Sequence, residues 1–144
     1  MELSGRKKMS NSKDHLPMMI INCIPHRLQR YDSVGDWYDS SGVMHFSVSH
    51  MAPDMEMETL LHEIFEWYLC KKAGITALMV DDWDFAHPDA EDPGSLPGCP
   101  YKKQHMAAMK ISRLAVKLMG YEWSDYDNLF NDIADKLSEQ RSKK

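Results

Sequence analysis

The sequence predicts an α+β fold in which a small antiparallel sheet packs with three main helices. Three observations carry that expectation. Short aliphatic or alternating runs fill the chain before residue 50, helical spacing takes over after Pro53, and no internal repeat divides the 144 residues. A chain of this length buries roughly two-thirds of its unfolded surface, enough for one core. The expected organisation is a flexible arm over residues 1–15, a single α+β domain over 16–140 and a frayed tail over 141–144.

The first strand is expected from Met18 to Ile24, an aliphatic run closed by Pro25. Gly35-Asp36-Trp37-Tyr38 and Val43-Met44-His45-Phe46-Ser47-Val48 flank the turn Asp39-Ser40-Ser41-Gly42 and predict a hairpin. Beyond Pro53-Asp54, Met57, Leu60, Leu61, Ile64, Phe65 and Tyr68 recur at helical spacing. Glu56 and Glu58 lie in that helix's first turns, Lys71 and Lys72 near its end and Gly74 just past it, the order its dipole favours. Residues 81–100 hold Asp81, Asp82 and Asp84, then Pro88, Pro93, Pro97 and Pro100, and predict a long loop of the functional kind. A second helix is expected from Pro100 to Met119, with Tyr101, Ala108, Ile111, Ala115 and Leu118 on one stripe and Gly120 beyond it. The third begins at Ser124, where Ser124-x-x-Asp127 resembles a capping box and Tyr126, Leu129, Phe130, Ile133 and Leu137 form the apolar face.

Composition excludes several function classes. The longest apolar runs, Met18–Ile21 and Ala77–Val80, fall far short of the ~20 residues a membrane-spanning helix requires. Polar residues follow Arg6-Lys7-Lys8, so no secretory segment is expected. Cys23, Cys70 and Cys99 are odd in number and widely spaced, which suits a reducing compartment and a cytoplasmic location. A formal charge of −5 argues against specific nucleic-acid binding.

Chemistry concentrates in His62-Glu63-x-x-Glu66. Residues four apart on a helix project from one face, so the His62 imidazole and the Glu66 carboxylate can meet one ion. Glu63, about 100° further round, can face the water such an ion activates and serve as general base. Zinc in a catalytic site commonly takes three protein ligands. The candidate for the third is His105, at the start of the second helix, with Asp81, Asp84, His87 and His50 in reserve. Tyr101, one turn before His105, can reach the same cleft and hydrogen-bond an oxyanion. The same spacing of Glu58, His62 and Glu66 also suits ordinary ion pairing on a solvated face. The cluster at 81–84 lacks the alternating oxygen ligands and glycine of a calcium loop, Cys99 has no activating partner nearby, and the 12 methionines are core filler.

Over roughly residues 18–128 the chain resembles a family of small metallopeptidase-like proteins of phages and prophages. The resemblance is carried by Arg30-Tyr31-x-x-Val34-Gly35-Asp36-Trp37, Leu61-His62-Glu63-x-x-Glu66 with Leu69-Cys70 and Gly74-Ile75, Val80-Asp81-x-Trp83-Asp84, Asp92-Pro93-Gly94, Pro100-Tyr101 with His105, and Trp123-Ser124-x-Tyr126. It implies a minimal zincin-like core, His62 and Glu66 as metal ligands, Glu63 as base and His105 as the further ligand. The glutamate in place of a second motif histidine departs from the main zincin pattern, and Cys99, His45 and His50 lie outside the family's. Two expectations follow. One is a zinc-dependent hydrolase acting on peptide or protein substrates. The alternative is a non-enzymatic phage interaction protein whose metal site is structural, with four protein ligands, or absent.

Overall fold

A computed structural model describes residues 15–143. The expected N-terminal arm lies, except for His15, outside the described residues. Strand β1, Met19–Ile24, is followed by a segment containing a 3₁₀ turn at His26–Leu28. The hairpin strands β2, Gly35–Ser40, and β3, Val43–Ser49, are joined at Ser41 and Gly42, whose φ angles of 53° and 81° are those a tight hairpin turn requires.

The sheet order is β1-β3-β2, with β3 antiparallel to β2 but parallel to β1. The sheet is therefore mixed, where the sequence suggests an antiparallel one. The physical reason is the connection: residues 25–34 cross the sheet before the hairpin begins, so β3 returns in the middle, running alongside β1. That crossing segment also covers one face. Ser47 and Ser49 are buried beneath it, and Ser49 Oγ lies 2.8 Å from His26 Nδ1 and accepts from Gln29 Nε2 at 3.1 Å.

The other face carries the main core. Trp37, Met44 and Phe46 pack with Trp67 and Cys70 of helix α1, Pro53–Ala73, the Phe46 and Trp67 rings meeting edge to face at 5.6 Å. Pro53 occupies the first turn of α1, and Gly74, at φ 73°, ends it in the left-handed conformation. The helix lies where the sequence places it, and Leu60 and Ile64 of the expected stripe pack against the core, but the most deeply buried positions are others. Met55, Glu58, Thr59, His62, Glu66, Trp67 and Cys70 are buried, whereas Met57, Leu61 and Tyr68 are exposed. Polar side chains with partners on neighbouring elements take the buried face that the spacing assigns to Met57, Leu61 and Tyr68.

A fourth helix, α2, Ala77–Ala86, replaces the first part of the expected loop. Thr76 caps it by accepting from the Met79 amide at 3.2 Å, and it ends at His87 because Pro88 disfavours a helical residue before it. A loop with a 3₁₀ turn at Pro93–Ser95 leads to α3, Lys102–Leu118. Its stripe is buried at Ala108 and Ala115, but Leu118 is exposed. Helix α4, Trp123–Ser142, is capped by Glu122 with no side-chain cap bond, so the expected capping box at Ser124 does not form. Of its expected face, Tyr126 is buried with Met55 and Val116, Phe130 and Ile133 pack against that cluster, and Leu129 is exposed. The helix runs through the first residues of the expected tail, and Arg141 donates to the His26 and Gln29 carbonyls at 2.9 and 3.2 Å. Among the described residues no helix is long and apolar enough to cross a membrane.

Candidate metal centre

Helices α1 and α3 run antiparallel where they touch: Ser112 meets His62, and His105, two turns earlier, meets Glu66 one turn later on α1. This arrangement collects His62, Glu66 and His105 into one buried group, with a ligand atom from each lying within 4.8 Å of the other two. Glu66 Oε2 is 3.2 Å from His62 Nε2 and 2.7 Å from His105 Nδ1. Its other oxygen accepts from Trp37 Nε1 at 3.0 Å, so β2 fixes the carboxylate's orientation.

The second nitrogen of each imidazole is also engaged. His62 Nδ1 lies 3.2 Å from Ser112 Oγ, and His105 Nε2 lies 3.2 Å from Asp92 Oδ2 in the loop before α3. Partners of this kind fix ring orientation, while the inward nitrogens give their N–H to Glu66 and must shed that proton before either can offer a lone pair to a metal. Two imidazoles and one carboxylate make a donor set that suits zinc, with room in its tetrahedral shell for a fourth, non-protein ligand.

Electrostatics follow from burial and from these contacts. For Glu66, burial favours the neutral form, but hydrogen bonds from His105 and His62 prevail and hold it as a carboxylate below the usual range. Burial likewise works against the His105 imidazolium, yet its bonds to Asp92 and Glu66 raise its pKa to about 10. Glu63 is pushed well above the ordinary carboxyl range, first by burial and then by the charges of Glu66 and Asp36.

Two backbone approaches make the packing tight. A Cβ on Gly94 would sit 2.7 Å from His105 Cγ, and one on Gly35 would sit 2.6 Å from Glu63 Oε1 and 2.7 Å from Thr59 Cγ2. Glycine is what lets the 93–95 turn and the start of β2 close over the site.

The group opens on two cavities. One, of about 370 Å³, is bordered by His62, Glu63 and His105 and extends toward α4. The other, of about 100 Å³, lies toward α2 and is bordered by Glu63, Glu66, Tyr31, Tyr101 and Asp84. Glu63 thus stands beside the ligand group at the junction of both. Tyr101 borders the site as the sequence suggests, but its hydroxyl donates to Asp84 Oδ1, and Tyr31 donates to Asp84 Oδ2 at 3.0 Å. Burial, only partly countered by these two bonds, raises the Asp84 pKa to about 6.

None of the reserve ligands joins the group. Asp84 holds the two tyrosines, Asp81 pairs with Arg30 at 2.9 Å, His87 Nδ1 lies 2.7 Å from the Trp83 carbonyl, and His50 lies 3.4 Å from Glu56. Ser112 has no motif around it in the sequence. Its only signal is a hydroxyl in line with His105, Ala108 and Ala115 on the face of α3 that is buried. Tyr31 and Asp92 stand within blocks the sequence does single out, but nothing in the spacing assigns them a partner. No protein-family model, curated protein or solved structure matches the chain.

Proposed function

We propose that this protein is a zinc-dependent hydrolase of peptide bonds, with His62, Glu66 and His105 as metal ligands and Glu63 as general base. The observation that carries the reading is the convergence of those three side chains next to an unligated carboxylate at an open cavity. A divalent cation held by these three side chains would supply Lewis acidity toward a carbonyl oxygen and a water molecule. The Glu63 carboxylate takes the proton of the attacking water and delivers it to the leaving nitrogen. Its raised pKa suits it to hold that proton between the two transfers. Ser112 and Asp92 keep the two imidazoles oriented, and Trp37 does the same for Glu66. Asp84 holds the Tyr101 and Tyr31 hydroxyls at the edge of the smaller cavity, and Tyr101 is the candidate donor to the developing oxyanion once its one O–H turns from Asp84 to the substrate. A cytoplasmic location accords with three unpaired cysteines.

The test is a peptide-hydrolysis assay on zinc-loaded protein beside Glu63→Gln. The variant should retain its metal and lose roughly 10²- to 10⁴-fold in turnover, the usual contribution of a general base. Unchanged turnover in the variant would remove Glu63 from the mechanism.

A second reading, a structural metal site in a non-enzymatic phage interaction protein, is favoured by one observation: His62, Glu66 and His105 are each no more than 8% exposed. It requires a fourth protein ligand. Spectroscopy of the cobalt-substituted protein distinguishes the two, since a closed site does not respond to added azide and an open one does.

A further inference from the structure

The 370 Å³ cavity beside Glu63 has two unlike walls. Trp123, Tyr126 and Phe130 of α4 form one, their rings stacked in series with centroids 6.0 and 6.1 Å apart. Such a surface takes the alkyl stem of a long side chain and, on a ring face, a cation. Trp123 already shows that affinity, because the Arg113 guanidinium lies 4.7 Å from its ring centroid, although Arg113 does not border the cavity.

The rest of the lining holds the carboxyl groups of Glu58, Glu63, Glu91, Asp92 and Asp127 beside the imidazoles of His62 and His105, and includes no lysine or arginine. Glu58 is engaged by the Tyr126 hydroxyl at 3.0 Å and Asp92 by His105, which leaves Glu91 and Asp127 to meet a ligand.

We infer that this cavity is a substrate subsite for a basic side chain, arginine or lysine, next to the bond to be cleaved. The aromatic wall holds the stem, and Asp127 and Glu91 meet the charge. An aliphatic side chain would strip water from the carboxylates without compensation. An acidic one would be repelled. The inference rests on the adjoining centre being a peptide hydrolase, and it adds the class of peptide that centre receives.

The experiment uses the full chain carrying Glu63→Gln, so that binding is read without turnover. Fluorescein-labelled alanine hexapeptides, identical except for one central Arg, Lys, Leu or Glu, are titrated by anisotropy while zinc is measured in the same samples. The Arg and Lys peptides should bind at least about ten-fold more tightly than the Leu and Glu peptides. Adding Asp127→Asn should remove most of that preference, and Asp127→Lys, on a half-buried helical position, should move it toward the Glu peptide. Equal binding of all four, a preference for Leu, or no binding at millimolar peptide overturns the assignment. Zinc present without a basic preference sinks the subsite and leaves the metal reading standing. A basic preference in protein that takes up no zinc does the reverse.

Discussion

Glu66 is held by three donors: Trp37 reaches one oxygen, and His62 and His105 share the other. A carboxylate so fixed can exchange imidazole protons for a cation without moving. The raised His105 pKa of about 10 has a consequence for loading, because a ligand nitrogen must be free of its proton. Zinc uptake at pH 7 should release about one proton per ion, and affinity should climb as pH rises toward 10. Calorimetry in buffers of different ionisation enthalpy reads this directly; a buffer-independent enthalpy would contradict it. In the metal-free protein the same raised pKa contributes stability that is fully present below His105's ordinary 6.5 and is lost as pH rises through about 10. Asp92→Ala, which frees the far nitrogen of His105, should weaken zinc binding by about 10- to 100-fold while leaving all three ligands in place. These partners had little signature in the sequence. His62 and Glu66 announce themselves by their spacing on one helix, whereas Ser112 and Asp92 matter only because α3 lies against α1 and the 93–95 turn lies against α3.

Among the elements, the turn at Pro93–Ser95 and the start of β2 close over the ligand group, and both do so through a glycine. Gly94→Ala would drive a methyl group into the His105 ring, so it should cost roughly 1–3 kcal/mol in stability and release zinc, measured by denaturant melts and metal content. Unaltered zinc binding in that variant would show that the turn is not packed on His105. Helix α1 shows how far local pattern carries. Its start, end and charge order were legible, because Pro53, the early acids, the late lysines and Gly74 act within the helix itself. The inward face was legible only in part, at Leu60 and Ile64, because Met57 and Leu61 have the hydrophobicity of core residues while Glu58, His62 and Glu66 have the buried partners. Helix α2 was hidden by its aspartates, which favour caps and turns. Asp81 and Asp84 are stabilised there by Arg30 and by two tyrosines from distant segments.

Across the whole molecule, the α+β class followed from the change of period at Pro53, but the strand order did not, since a crossing segment leaves no periodic trace. That segment is also where α4 is fastened. Arg141 binds its carbonyls, and Ser138 donates to Asp32 at 2.5 Å. Burial disfavours the Asp32 carboxylate, but the bonds from Ser138 and His26 outweigh it and lower the pKa. A lowered carboxyl pKa contributes stability that is present above its ordinary 3.8 and is lost as pH falls through the folded value. Arg141→Ala should therefore cost about 1–2 kcal/mol, read from urea unfolding, and loosen the helix that carries Trp123, Tyr126 and Phe130. The most direct test of the metal centre is elemental analysis of protein purified without chelator or nickel resin, for the native chain beside His62→Ala, Glu66→Ala and His105→Ala. Near-stoichiometric zinc in the native chain, lost in all three variants, is the expected result. No metal in the native chain, with none taken up on zinc titration, would contradict the ligand assignment and the hydrolase with it.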